Sequence, residues 1–175
     1  MPQQLHLFLK LYLPGVGAFG NAMNLLNKKN LEKIINKYAI EKKKPLLGIC
    51  LGMQLLLTRS NEFGKHNGLN LISGNVKNIN DVSRTQLKVP NIGWNEIEIN
   101  NNNKLYSDFN NSSFYFVHSF ISITEKKEDT IANCKYFNLQ IPAIIRKEKI
   151  LGCQFHPEKS GDNGLKFLKA FCDLS

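Results

Sequence analysis

The chain has 175 residues, 42% of them hydrophobic, and a formal net charge of +9. That content suits one compact domain with a real core, and no apolar run approaches the ~20 residues of a membrane span. The lysines are scattered, as in "NKKNLEKIINKYAIEKKK", with no basic stripe interleaved with aromatics. This argues against a nucleic-acid binder and for a solvated, lysine-rich surface.

The opening "MPQQLHLFLK" has neither a basic leader nor a small-residue cleavage site, which predicts a cytoplasmic protein. Cys50, Cys134, Cys153 and Cys172 form no CxxC pair. A zinc site is therefore not expected, and free thiols are. No cofactor is predicted.

In chain order, "FLKLYL" at 8–13 reads as a short strand, followed by the glycine-rich turn "PGVGAFGN". Leu25, Leu26, Leu31, Ile34, Ile35 and Tyr38 then predict an amphipathic helix over Asn24 to Lys42. Pro45 stops it, "PLLGI" is a buried strand, and "LGMQLLLTRS" suits a second helix. Four β-rich runs come next, "LNLISGNVKNI", "KVPNIGWNEIEI", "SSFYFVHSFISI" and "YFNLQIPAIIRKEKILGCQF", with loops at 101–104 and 109–113. "NGLKFLKAFCDL" closes the chain with helical spacing. The expected organisation is one domain over 1–175, of α/β class with an antiparallel extension.

Cys50 stands where a strand hands over to a helix, with Gly48 before it and Gly52 after it. Such a corner lifts a nucleophile clear of the backbone, and flanking glycines let neighbouring chain pack close. The helix start offers free N–H groups and a positive dipole end, which predicts a thiolate-prone Cys50 with the Leu51 N–H near an oxyanion. A second constellation, "GCQFHPEKS", carries His156 and Glu158 around Pro157. The residue before proline is biased to extended backbone, where i and i+2 share a side. Glu158 is thus placed to hold one ring nitrogen of His156 and leave the other for Cys50, making a Cys-His-Glu triad.

"LPGVGAFG", "GICLGMQLL", "VPNIGWNE", "YFVHSF" and "QFHPEKSG" occur in that order. From about Leu13 onward they resemble the glutaminase subunit of imidazole glycerol phosphate synthase, of the class I (triad-type) glutamine amidotransferases. The resemblance implies a flavodoxin-like α/β fold with a mixed, mostly parallel sheet flanked by helices. It implies Cys50 as nucleophile on the side-chain amide of L-glutamine, His156 as proton carrier and Glu158 as its orienting carboxylate. An oxyanion hole from the N–H groups of Leu51 and of Val16 or Gly17 is implied too. Gln54, Glu62, Ser119 and Phe120 would hold glutamine, and His118 would be a structural residue in the site wall. The implied partner is a (β/α)8-barrel cyclase that receives the ammonia, with Trp94 and Asn95 at the interface and no nucleic acid or membrane involved.

Three features depart from that pattern or fall outside it. Asn91 stands where the family leads one to expect histidine. The family's first strand–helix–strand is not visible before "LPGVG", which predicts an N-terminally truncated chain with exposed strand edges, poor solubility and weak activity. His6 and His66 have no context. Alternatives left open are the same chemistry feeding another synthase, such as one acting on surface-polysaccharide sugars, and a non-catalytic truncated interaction subunit.

Overall fold

The computed structural model describes residues 10–100 and 104–174. His6, the first residues of the predicted strand at 8–13 and the asparagines at 101–103 lie outside the described residues. The front of the chain runs β1 (Leu11–Gly15), α1 (Phe19–Lys28), α2 (Leu31–Asn36), β2 (Leu46–Cys50) and α3 (Leu51–Leu55). The middle holds β3 (Arg59–Ser60), β4 (His66–Asn67), β5 (Gly74–Asn78), α4 (Ile79–Val82), β6 (Asn91–Ile99), β7 (Ser112–His118) and β8 (Phe120–Thr124). It closes with β9 (Thr130–Tyr136), β10 (Leu139–Lys147), β11 (Ile150–Cys153) and α5 (Gly161–Cys172).

Seven strands form the larger sheet in the order β1-β2-β11-β10-β9-β6-β7, and four form a smaller one, β4-β3-β5-β8. The mixed α/β class stands, but the expectation of mostly parallel pairing does not. Only β1–β2 and β2–β11 are parallel; every other pair in the larger sheet is antiparallel. The reason is local: β9–β10 and β10–β11 are joined by short turns, and such connections can only pair strands antiparallel.

β2 explains why "LLGIC" reads as one apolar run rather than an alternation. It is buried on both faces. Leu47 and Ile49 enter one core with Phe114, Phe116, Phe155, Phe167 and Phe171, while Leu46 enters the other with Phe19, Met23, Met53 and Leu55–Leu57. Phe114 stacks on Phe155 with centroids 4.1 Å apart, and Phe167 of α5 meets Phe155 edge-on at 5.0 Å. α5 thereby clamps the end of β7 to the segment following β11.

The predicted helix over Asn24 to Lys42 is a set of shorter pieces. It starts earlier, at Phe19, breaks at Asn30 (φ 54°) and ends in a π-helical turn at Lys37–Glu41. A left-handed residue cannot continue a right-handed helix, and the apolar spacing alone does not reveal it. The second predicted helix is one short element, α3, because Leu69, Leu71 and Ile72 donate backbone bonds to Leu55 and Leu56 instead.

Candidate active site

Cys50 is the last residue of β2 and the N-cap of α3, with φ 53° and ψ −109°. That strained corner is held by close packing at both glycines. A Cβ on Gly48 would strike the backbone of Gly52 and Met53, and one on Gly52 would collide with the Leu13 carbonyl of β1. The strand, the helix and the β1 loop are thus pressed together around the sulfur.

His156 follows β11, its N–H donating to the Tyr115 carbonyl of β7 (2.9 Å) and its carbonyl accepting from Ser160 Oγ (2.7 Å). Ser160 Oγ in turn accepts from Tyr115 N–H (3.0 Å), so one hydroxyl ties β7 to the His156 turn. His156 Nδ1 and Glu158 Oε1 are 2.7 Å apart. Glu158 reaches the ring from a 3-10 turn, Pro157–Lys159, rather than from extended chain. The imidazole is buried, the carboxylate half-exposed. His156 Nε2 is buried with no hydrogen-bond partner among the described residues.

Cys50 and His156 face a common hollow of about 410 Å³, lined also by Val16, Gly17, Leu51, Gln54, Glu62, Ser119 and Phe120. Every residue expected at the nucleophile, base, oxyanion or glutamine positions reaches this hollow, apart from Glu158, which stands behind His156. Burial works against the expected thiolate character of Cys50. Burial pushes its pKa up to about 11, and the Glu158 charge adds to that; the Leu51 N–H, the Gln154 amide and Lys159 pull only partly back. α3 has five residues, and its dipole does not outweigh desolvation.

Glu62 lines the hollow, but its Oε2 accepts from the Phe19 N–H at 2.6 Å and so caps α1. Gln54 Nε2 donates to the Phe120 carbonyl (3.1 Å) and to Gln154 Oε1 (3.3 Å). His118 lies in the wall, its Nδ1 3.0 Å from the Phe120 carbonyl and Nε2 3.2 Å from Asn91 Nδ2. Burial lowers its pKa to about 4. Trp94 is exposed rather than core, packed edge-on to Tyr115, and Asn95 is half-buried beside it. His66, without context in the sequence, packs its ring against Gly20 at the start of α1.

Gln154 was not singled out by sequence. It is fully buried, and its Nε2 stands 3.8 Å from Cys50 Sγ. It stands in the bend that follows β11, two residues before His156, and its position next to the HPE stretch is the signal that could have found it.

A family model described as "Glutamine amidotransferase class-I" matches residues 11–173. The imidazole glycerol phosphate synthase subunit HisH 1 of Legionella pneumophila (strain Paris) is 41% identical over 181 residues, covering 99% of this chain and 84% of that protein. The HisH subunit of Caldanaerobacter subterraneus is 44% identical over 168 residues, covering 95% and 80%. Among solved structures, a glutamine amidotransferase superposes with a TM-score of 0.71 at 19% identity, covering 98% of this chain and 83% of its own. The glutaminase domain of Trypanosoma brucei CTPS does so at 0.65 and 17%, covering 99% and 75%. These two share the fold. The chain belongs to the class-I glutamine amidotransferases, and among them to the family of the imidazole glycerol phosphate synthase subunit HisH.

Proposed function

We propose that this protein hydrolyses L-glutamine to glutamate and ammonia with Cys50, His156 and Glu158, and delivers the ammonia to a (β/α)8-barrel cyclase subunit in histidine biosynthesis. The observation that carries the reading is the hollow that Cys50 and His156 both line, with His156 Nε2 bonded to none of the described residues. His156 takes the thiol proton on Nε2, and the sulfur attacks the amide carbon. The C–N bond breaks as His156 returns a proton to the leaving ammonia. A water deprotonated by His156 then cleaves the thioester, giving glutamate and the free thiol. Glu158 holds the imidazole and balances its charge through both steps.

The tetrahedral oxyanion is met by the Leu51 N–H and by an N–H of the Val16–Gly17 loop, while Gln54, Glu62, Ser119 and Phe120 surround the glutamine. Ammonia protonated in water is no nucleophile, so the product needs a docked acceptor. Val16 and Phe63 are exposed apolar residues that line the hollow, and Trp94 is exposed on β6, which supports this side of the chain as the docking surface. Among the described residues no helix is long and apolar enough to cross a membrane. The test is glutamate release from glutamine by the full chain mixed with the cyclase subunit. Release abolished by Cys50→Ala is expected; release unchanged by that substitution overturns the assignment.

A further inference from the structure

Two chains of hydrogen bonds meet at one carbonyl. In the first, Asn95 Nδ2 donates to Asn91 Oδ1 (3.2 Å), Asn91 Nδ2 lies 3.2 Å from His118 Nε2, and His118 Nδ1 lies 3.0 Å from the Phe120 carbonyl. In the second, Gln54 Nε2 donates to that same carbonyl (3.1 Å) and to Gln154 Oε1 (3.3 Å), and Gln154 Nε2 points at Cys50 Sγ (3.8 Å). The side chains of Asn91, His118, Gln54 and Gln154 are all buried.

The chemistry of these groups fixes the proton. An amide nitrogen only donates, so the ring nitrogen facing Asn91 must be bare. A carbonyl only accepts, so the ring nitrogen facing Phe120 must carry hydrogen. The Phe120 carbonyl therefore specifies the neutral tautomer with the proton on Nδ1, and the Asn91 amide nitrogen facing Nε2 agrees with it. Desolvation and the nearby His156 both oppose a second proton.

We propose that His118 is a positioning residue whose Nδ1–H, set by Asn91, anchors the Phe120 carbonyl and thereby holds Gln54 and Gln154 in place beside Cys50. This rests on the reading of Cys50 as the nucleophile and adds to it a support on the far side of the site. The Phe120 carbonyl accepts from both His118 and Gln54, so losing the His118 bond frees the strand-end that orients Gln54. Gln54 and Gln154 share a bond, so their register relative to the sulfur follows.

The test separates the two ends of the ring. Asparagine places its amide N–H where Nδ1 stands; glutamine places it nearer Nε2, although glutamine is closer to histidine in size. With the full chain and its cyclase partner, kcat/KM for glutamine in His118→Asn is expected to exceed that of His118→Gln about tenfold, the effect of one buried hydrogen bond. Nitrogen-15 spectra of the wild-type ring are expected to show Nδ1 protonated and Nε2 bare. A protonated Nε2, or His118→Gln equal to or better than His118→Asn, overturns the proposal. Failure of the underlying reading is seen separately, as wild-type glutamate release that Cys50→Ala does not remove; the ring spectra need no activity.

Discussion

Glu158 Oε1 lies 2.7 Å from His156 Nδ1, while Nε2 of the same ring is buried and bonded to nothing among the described residues. One nitrogen is committed and the other is left without a partner among the described residues, in a residue that lines the hollow. Replacing Glu158 by Gln keeps the shape but removes the charge that balances an imidazolium. The carboxylate is half-exposed, so water screens part of that charge. Glutaminase kcat is expected to fall roughly 10- to 100-fold in Glu158→Gln, with KM for glutamine nearly unchanged. Steady-state glutamate release measures both; a large rise in KM with kcat preserved contradicts the assigned role.

Burial pushes the Cys50 pKa up to about 11, so a thiol is the expected form at neutral pH in the free chain. Below that value the thiolate fraction grows tenfold for each pH unit. Alkylation of the free chain by iodoacetamide is therefore expected to accelerate about tenfold per unit between roughly pH 7 and 10, read against Cys50→Ala to remove the exposed Cys172 signal. A rate that is already flat from neutral pH upward would mean a preformed thiolate–imidazolium pair, contrary to this geometry.

How much of this was legible in the chain depends on the range over which each feature is set. The corner at Cys50 was legible because its glycines are needed locally, where Gly48 and Gly52 let backbone pass backbone. The His156–Glu158 contact was legible because two residues around a proline fix it. The break at Asn30 was not, since the apolar spacing continues through it. Nor was the capping of α1 by Glu62, which joins segments 43 residues apart. The links from Gln154 to Cys50 and from Asn91 to His118 span 104 and 27 residues, and only strand pairing brings them together. The depth at which the Cys50 sulfur is buried was not legible for the same reason: sequence shows the helix start but not what covers it.

His118 contributes stability that depends on pH. Its folded pKa, lowered by burial to about 4, lies below the ordinary 6.5. The unfolded chain binds the proton first as pH falls, so the contribution is complete above 6.5 and is lost on descending toward 4. Urea midpoints of the full chain are expected to drop across that window, and His118→Asn to flatten the drop. Identical slopes for both proteins between pH 6.5 and 4 would show that the imidazole is not buried neutral.

Gly52 touches the Leu13 carbonyl so closely that no side chain fits between them, and Leu13 sits in β1 opposite Gly48 of β2. An added methyl must push α3 away from β1, separating the Cys50 corner from the loop that carries Val16 and Gly17. Gly52→Ala is expected to cost about 3 kcal/mol of stability, at the upper end for overpacking, because the obstacle is backbone and cannot rotate aside. Gly17 makes a useful contrast. Its φ of 104° strains any other residue, yet a Cβ there would meet nothing within 4 Å. Gly17→Ala should therefore lose about 1–2 kcal/mol, from backbone strain alone. Denaturant melts of the two variants rank these costs; a Gly52→Ala protein as stable as Gly17→Ala would show that β1 and α3 are not packed as tightly as this corner requires.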